Sequence, residues 1–202
     1  SESPAMTDTP PPPAPPPAGS DLPRRYDESR PFLPVRFAVL TVSDTRSLAE
    51  DRSGDTLAAR IEAAGHVLAA RAILPDERAQ IAAQLRDWVA DPGIDAVLST
   101  GGTGLTGRDV SVEAHRDVYE KEIEAFGTLF THVSMRKIGT SAVQSRACAG
   151  VAGGTYLFAL PGSPGACRDA WDEILLPQFD YRHMPCNFVE IMPRLEEHLR
   201  RK

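Results

Sequence analysis

An apolar run that ends in a glycine-rich loop constrains the fold of this 202-residue chain more than any other feature. Residues 95–100 have the apolar character of a buried strand, and residues 100–104 read Thr-Gly-Gly-Thr-Gly. Arg108 and Asp109 follow, and a helical pattern begins at Ser111. Because glycine has no β-carbon, such a loop lets backbone N–H groups approach an anion, and the next helix adds its own unpaired N–H groups. The segment therefore predicts a site for a phosphate-bearing ligand.

The residues of this loop leave alternatives open. The loop lacks the Gly-Lys-Ser/Thr of a Walker loop, and an ordinary strand-to-helix turn is the alternative. Arg108 is the natural partner of a phosphate, or else a solvated surface side chain. Asp109 either serves a turn or helix cap, or it lies beside the anion, where it would repel phosphate unless a metal ion bridged the two.

Strand-like and helical patterns alternate along the rest of the chain. Apolar runs predict strands at residues 35–42, 67–74, 95–100 and 155–160, and helical spacing predicts helices at residues 54–64, 76–90 and, as one helix or two, 111–135. Ser163 as N-cap and Pro164 at the first helical position predict a further helix, and residues 190–202 read as a charged tail ending in a short helix. This alternation favours an α/β fold with a parallel sheet covered by helices on both faces.

Polar loops follow the predicted strands where each one ends. Ligands of parallel sheets bind beyond the carboxyl ends of the strands, so we expect these loops to meet. They are Ser43-Asp44, Pro75-Asp76, residues 101–104 and Pro161-Gly162-Ser163. Helix capping is the alternative interpretation of Asp76 and of the polar turns at residues 43–46 and 51–54, which flank the first helix.

Composition narrows the classes of partner. The chain has 28 acidic against 22 basic side chains and a formal net charge of -6, which argues against a general nucleic-acid binder. It has no run near the roughly 18 apolar residues that span a bilayer, and its start lacks the pattern of a secretory signal. The three cysteines form no CxxC pair, so neither a disulfide framework nor a zinc site is expected. We therefore expect a cytoplasmic protein with no nucleic-acid or membrane partner.

The first 34 residues differ in composition from the rest of the chain. The proline run at residues 10–17 cannot form a helix or a central strand, which predicts a disordered, solvated tail over residues 1–34. A ligand for a proline-binding module is the alternative. We therefore predict a single folded domain over residues 35–202.

Taken together, these motifs resemble the MoaB/Mog family of molybdenum cofactor biosynthesis proteins. The segments that carry the resemblance are residues 41–46, 51–54, 74–77, 100–110, 145–147, 160–166 and 182–188. The last of them is similar to the protein B branch in particular, and the whole match covers residues 35–189. Ser111-Val112 stands where the family usually has Thr-Pro. Serine can still cap a helix, so a slightly altered helix start is expected.

The resemblance implies a three-layer α/β/α sandwich with a mostly parallel central sheet, assembled as a homotrimer or a homohexamer. It implies binding of molybdopterin, a pterin with a dithiolene and a terminal phosphate. The family's adenylyltransferases join that phosphate to AMP from Mg-ATP and release pyrophosphate. The product then passes to the metal-insertion enzyme, which is a candidate partner.

The resemblance also assigns site residues. The family's two essential aspartates map onto Asp76 and Asp109, which we expect to be catalytic and to hold Mg²⁺. The expected substrate-binding residues are Ser43, Asp44, Ser53, Gly54, Gly101, Gly102, Thr103, Gly104, Arg108, Pro161, Gly162 and Ser163. A non-catalytic molybdopterin-binding or scaffold protein of the same pathway is the alternative function.

Overall fold

The structure is a computed structural model that describes residues 11–200, apart from the side chain of Arg200. The first ten residues of the predicted tail and the last two residues of the predicted C-terminal helix lie outside the described part. None of the described helices is long and apolar enough to cross a membrane.

Eight strands and eight α-helices are numbered here in chain order within the described part. The strands are β1 (Arg25–Tyr26), β2 (Arg36–Val42), β3 (Val67–Leu74), β4 (Ala96–Thr100), β5 (Lys121–Glu122), β6 (Cys148–Ala152), β7 (Thr155–Leu160) and β8 (His183–Met184). The helices are α1 (Arg52–Ala63), α2 (Arg78–Ala90), α3 (Ser111–Arg116), α4 (Glu124–Ile138), α5 (Pro164–Ala170), α6 (Leu176–Gln178), α7 (Phe188–Ile191) and α8 (Glu197–Arg200). A π-helical turn joins α5 to α6.

Six of the strands form one central sheet in the order β3-β2-β4-β7-β6-β5. The first four are mutually parallel, whereas β6 pairs antiparallel with β7 and β5 pairs antiparallel with β6 at one edge. β1 and β8 form a separate antiparallel pair. The predicted α/β class with a mostly parallel sheet is confirmed.

Helices cover both faces of this sheet. In β2 the side chains of Phe37 and Val39 belong to the apolar core that contains α1, α4 and α5, whereas Ala38 and Leu40 belong to the core that contains α2 and α3. Successive side chains of a strand point to opposite faces, so an uninterrupted apolar strand requires two covered faces. The predicted three-layer α/β/α sandwich is confirmed.

The helix predicted at residues 54–64 begins two residues earlier, at Arg52. Asp51 is its N-cap, because the carboxylate of Asp51 accepts a hydrogen bond from the N–H of Gly54 at 3.0 Å. Gly65, which follows the helix, has a φ of +88°. That left-handed conformation ends the helix in the manner expected of a glycine at this position.

The helical region predicted at residues 111–135 is two helices, α3 and α4, with the short strand β5 between them. β5 and its neighbour β6 were not predicted. A two-residue strand carries no periodicity, and β6 is built from small residues. At Gly150 of β6, an added β-carbon would lie 2.4 Å from the ring of Tyr119. The absence of a side chain at Gly150 makes room for the ring of Tyr119. The segment therefore has few of the bulky β-branched and aromatic residues that usually predict a strand.

The segment that precedes residue 35 contacts the folded domain. β1 pairs with β8, and the N–H of Asp27 donates to the carbonyl oxygen of Arg182 at 2.8 Å. The ring of Phe32 packs against His66, with 5.1 Å between ring centroids. The domain boundary at residue 35 stays a prediction, and the structure attaches the residues just before it to the domain by specific contacts.

Candidate functional site

A polar cleft of about 300 Å³ lies at the carboxyl ends of the parallel strands. The chain runs from β2 outward to β3 on one side, and β4 pairs with β2 on the other, so the strand order reverses at β2. Such a switch point leaves a crevice in which α/β proteins bind ligands. The lining residues are Thr41, Val42, Ser43, Asp44, Thr45, Arg46, Ser53, Asp76, Thr100, Gly101, Gly102 and Gly162.

Two glycines shape the floor of this cleft. Gly101 and Gly102 have φ values of +102° and +72°, a region that disfavours any side chain. A β-carbon at Gly101 would lie 2.3 Å from the carbonyl oxygen of Val42, and one at Gly102 would lie 2.4 Å from Oγ of Ser111. These positions require glycine both for backbone conformation and for space.

The backbone of this loop presents N–H groups that have no partner. Ser111 takes up the carbonyl oxygens: its Oγ donates to Gly101 at 2.7 Å and its N–H to Gly102 at 3.0 Å. Within residues 11–200, no group accepts a hydrogen bond from the N–H of Gly102, Thr103 or Gly104. Consecutive backbone N–H groups without partners are the kind of donors that bind anions in other proteins.

Asp76 lies between this loop and the end of β3. Its N–H donates to a carboxylate oxygen of Asp44 at 3.0 Å, whereas its own carboxylate accepts no hydrogen bond from another described residue. The capping alternative is not realised, because Glu77 is the N-cap of α2. Burial raises the pKa of Asp76 above its usual range, and the charges of Asp44 and Asp109 add to that effect. Asp76 is therefore an unpaired carboxylate facing polar space.

Arg108, the predicted phosphate partner, is ion-paired in the structure. Its guanidinium donates to both carboxylate oxygens of Asp44, at 2.7 and 3.1 Å, and lies 3.4 Å from Glu77. This contact holds the pKa of Asp44 below its usual range. Arg46, in contrast, lines the cleft and its guanidinium contacts no acidic group in the described part of the chain.

Asp109 lies against the far end of the glycine loop. One of its carboxylate oxygens accepts the N–H of Thr106 at 2.9 Å and the hydroxyl of Thr106 at 2.7 Å, which is the turn alternative considered above. A β-carbon at Gly104 would lie 2.7 Å from that same oxygen. Asp109 is outside the lining of the cleft but close enough for its charge to act on Asp76.

The donor atoms of the cleft suit a hard cation. Its lining contains carboxylate and hydroxyl oxygens and no histidine or cysteine, which matches the oxygen preference of Mg²⁺. In the described part of the chain, no three acidic, histidine or cysteine side chains cluster closely enough to hold a metal alone. Mg²⁺ bound here would need phosphate oxygens to complete its coordination, as is usual for this ion.

A hydrogen-bonded network around Asp51 supports one wall of the cleft. Among the predicted site residues, this network includes Gly54 alone. The carboxylate of Asp51 is fully buried and accepts the hydroxyl of Thr41 at 2.6 Å and Nη2 of Arg71 at 2.9 Å, in addition to the N–H of Gly54. A β-carbon at Gly54 would collide with this carboxylate at 2.0 Å. Gly54 is thus placed by packing on Asp51 and has no surface on the cleft.

The remaining predicted site residues differ in whether they line the cleft or support it from outside. Ser53 lines the cleft and donates to the carbonyl oxygen of Gly162 at 2.7 Å, which ties α1 to the loop after β7. Ser163 caps α5, since its Oγ accepts the N–H of Ala166 at 3.1 Å. The carbonyl oxygen of Pro161 accepts a hydrogen bond from the hydroxyl of Thr100, and Thr103 is a buried residue of the loop. Thr41 and Thr100, which sequence reasoning did not select, also line the cleft.

A neutral hydrogen-bonded chain lies under the glycine loop. Nε2 of His115 is 2.8 Å from Oγ of Ser99, and Nδ1 is 2.9 Å from the hydroxyl of Tyr119. Burial lowers the pKa of His115 to about 3, so the imidazole is uncharged at neutral pH. This chain anchors α3 to β4 and adds no charge to the site.

The structure thus defines an α/β sandwich with a glycine loop at its topological switch point, and the comparisons with known proteins agree. The family described as "Probable molybdopterin binding domain" matches residues 38–181. Molybdenum cofactor biosynthesis protein B of Escherichia coli (strain K12) is 47% identical over 160 residues, which cover 79% of this chain and 94% of that protein.

Solved structures give the same result. A crystal structure of a molybdenum cofactor biosynthesis protein B has a TM-score of 0.75 and 35% identity, covering 83% of this chain and 99% of that one. The molybdopterin biosynthesis enzyme MoaB from Thermus thermophilus has a TM-score of 0.63 and 34% identity, covering 70% and 89%. The chain therefore belongs to the molybdopterin-binding-domain family of molybdenum cofactor biosynthesis proteins, as its motifs predicted.

Proposed function

We propose that this chain binds molybdopterin and ATP in the cleft and transfers AMP to the terminal phosphate of molybdopterin. The observation that carries the proposal is the run of unpaired N–H groups at Gly102, Thr103 and Gly104 beside the unpaired carboxylate of Asp76. The first feature suits a phosphoryl group, and the second suits a cation that accompanies phosphates. Together they support a reaction between two phosphates.

The chemistry needs no strong general base. A phosphate monoester has a second pKa of about 6, so it is mostly a dianion at neutral pH. One of its oxygens attacks the α-phosphorus of ATP, a new P–O bond forms, and the bond from that phosphorus to the β-bridging oxygen breaks. Pyrophosphate leaves with the electron pair of the broken bond. The obstacle is the repulsion between two anions, which charge stabilisation and alignment reduce.

The residues have distinct roles in this proposal. The loop N–H groups bind one phosphoryl group, and the carboxylates of Asp76 and Asp109 would hold the Mg²⁺ that accompanies ATP. When bound, Mg²⁺ would neutralise part of the phosphate charge. Arg46, whose guanidinium has no acidic partner in the described structure, adds a positive charge at the rim of the cleft. The Thermus relative is named an enzyme of molybdopterin biosynthesis, which agrees with a catalytic role.

The test is pyrophosphate release by purified protein mixed with molybdopterin and Mg-ATP. Wild type is expected to release pyrophosphate only when both substrates are present, and Asp109→Asn is expected to lower the rate about 100-fold or more. Asp117→Asn is the matched control, because Asp117 pairs with Arg78 on the surface and is expected to keep the wild-type rate. Full transfer by Asp109→Asn with an unchanged Mg²⁺ dependence would end the assignment of Asp109.

One observation favours the second candidate, a protein that binds molybdopterin without catalysis. Arg108 is already engaged by Asp44 and Glu77, so it is not free to neutralise a triphosphate. If the chain only binds molybdopterin, equilibrium dialysis detects binding to the wild type, and no pyrophosphate is released when Mg-ATP is added. The same preparation therefore separates the two functions.

The proposal includes assembly of this chain into a homotrimer or a homohexamer. Apolar side chains that would suit a contact between copies are exposed near the end of α4, where Ile138 is 57% and Val143 is 80% accessible. Sedimentation velocity of the purified chain tests this part, and a monomer at micromolar concentration would contradict it.

A further inference from the structure

Arg146 contacts the glycine loop through the carbonyl groups of the loop and is not among the residues that line the cleft. Its backbone N–H donates to the carbonyl oxygen of Thr103 at 3.0 Å, and its Nε donates to that of Gly104 at 2.9 Å. Its Nη2 lies 3.4 Å from the carbonyl oxygen of Asp109. One residue therefore contacts carbonyl groups at both ends of the segment that leads from the glycine loop to Asp109.

Glu113 on α3 fixes the guanidinium of Arg146. Nη1 and Nη2 of Arg146 donate to the two carboxylate oxygens of Glu113 at 2.6 and 3.3 Å. This contact holds the pKa of Glu113 below its usual range. A planar guanidinium bonded to a carboxylate on both nitrogens has one defined orientation, so the direction of Nε toward Gly104 is set by α3.

The carbonyl groups of the loop form a continuous pattern. Ser111 binds the carbonyl oxygens of Gly101 and Gly102, and Arg146 binds those of Thr103 and Gly104. Four consecutive carbonyl oxygens are thus occupied by donors outside the cleft. A carbonyl oxygen turned toward the cleft would repel a phosphate, whereas peptides held in this way keep their N–H groups available.

We propose that Arg146 is a positioning residue, which keeps the carbonyls of the loop away from the bound phosphate and sets the place of Asp109. This inference rests on the proposed function for the role of Asp109, whereas its claim about the loop stands on geometry alone. Arg146 is outside the lining of the cleft and therefore acts through the loop and not on the substrate. Residues 145–147 carried part of the family resemblance, and the structure gives Arg146 a physical role.

Hydrogen exchange tests the claim about the loop without any substrate. The amides of Thr106 and Asp109 are protected by hydrogen bonds inside the segment that Arg146 closes. In Arg146→Ala both amides are expected to exchange at least about tenfold faster, because opening of this segment becomes local and easy. Arg116→Ala is the matched control, since Arg116 pairs with Glu122 at 2.6 Å and contacts no loop carbonyl. Unchanged exchange in Arg146→Ala would overturn the inference.

Kinetics of pyrophosphate release test the consequence for the site. Arg146→Ala is expected to lower kcat about 10- to 100-fold, because small displacements of reacting groups carry penalties of that order. Arg146→Lys, which keeps a donor near Gly104, should recover part of the loss, and added ethylguanidinium should partly rescue Arg146→Ala. Glu113→Gln keeps the contacts to the carbonyls and should have an intermediate effect, which covers the case that the alanine variant does not fold.

The two tests distinguish the two claims. If wild type releases no pyrophosphate while the amides of Arg146→Ala exchange faster, the proposed reaction fails and the role of Arg146 stands. If wild type is active but Arg146→Ala and Arg116→Ala have the same kcat and KM, the role of Arg146 is overturned and the proposed reaction stands.

Discussion

Asp51 and Asp76 are carboxylates near one cleft, yet their surroundings are opposite. Asp51 is fully buried and accepts hydrogen bonds from Thr41, Gly54 and Arg71. Asp76 is partly exposed, and its carboxylate accepts no hydrogen bond from another residue in the described range. Sequence alone does not separate them, because each is an aspartate in a polar turn before a helix.

The difference separates residues that build the site from residues available to a ligand. A buried carboxylate with three donors stabilises the fold, and its lone pairs are occupied. An unpaired carboxylate whose pKa is raised by burial and neighbouring negative charge makes the fold less stable in its ionised form. Such a group is typical of a functional position, where a bound cation or a reacting group supplies the missing partner.

The largest expected effect on stability is at Asp51. Asp51→Ala leaves the N–H of Gly54 and the hydroxyl of Thr41 without an acceptor and takes from Arg71 its buried partner. Loss of one member of such a network lowers the free energy of unfolding by about 3 kcal/mol. Urea denaturation measures this value. Asp55→Ala is the control, because Asp55 is an exposed partner of the same arginine and its loss is expected to cost less than about 1 kcal/mol.

The second effect concerns the glycines of the cleft floor. Gly101→Ala places a β-carbon against the carbonyl oxygen of Val42 at a φ of +102°, so a loss of about 2 kcal/mol is expected. Gly107→Ala is the matched control in the same loop, because nothing lies within 4 Å of the added β-carbon. Equal stability of the two variants in thermal unfolding would contradict the backbone geometry described here.

A smaller effect is expected at Ser163, which the structure places with Asp51 as a residue that builds the site. Ser163→Ala removes the N-cap of α5 and is expected to lower stability by about 1 kcal/mol. Ser163→Asp keeps a capping oxygen and should restore most of this loss. Thermal unfolding of both variants gives the comparison, and an equal loss in the two would argue against a capping role.

The smallest expected effect on stability has the opposite sign. Because the pKa of Asp76 is raised in the folded state, its ionised form opposes folding at neutral pH. Asp76→Asn should therefore raise Tm by about 1–2 °C, a modest value because solvent screens the charge. The difference in Tm should shrink as pH falls through the pKa of folded Asp76 and vanish below that of the unfolded chain. A variant that is less stable at neutral pH would contradict an unpaired Asp76.

Local patterns in the sequence predicted most of the fold. The apolar run at residues 35–42 and the Ser163-Pro164 cap signal were confirmed by β2 and α5. β6 was missed because its small residues make room for Tyr119, a contact that no local pattern reveals.

The site was predictable as a set of loops and not as a set of contacts. Arg108 binds Asp44, a residue 64 positions away, and only the folded sheet brings the two together. The sequence offered the same capping interpretation for Asp51 and Asp76, and tertiary contacts decided between them. The catalytic and substrate-binding roles assigned from the resemblance stay predictions.

The most direct test of this account is pyrophosphate release from molybdopterin and Mg-ATP by Asp76→Asn, measured beside its Tm. We expect a rate at least about 100-fold below wild type together with an unchanged or higher Tm, because Asp76 serves the ligand and not the fold. A wild-type rate in this variant would contradict the role of Asp76, and a lost rate with a clearly lower Tm would place Asp76 with Asp51 as a structural carboxylate.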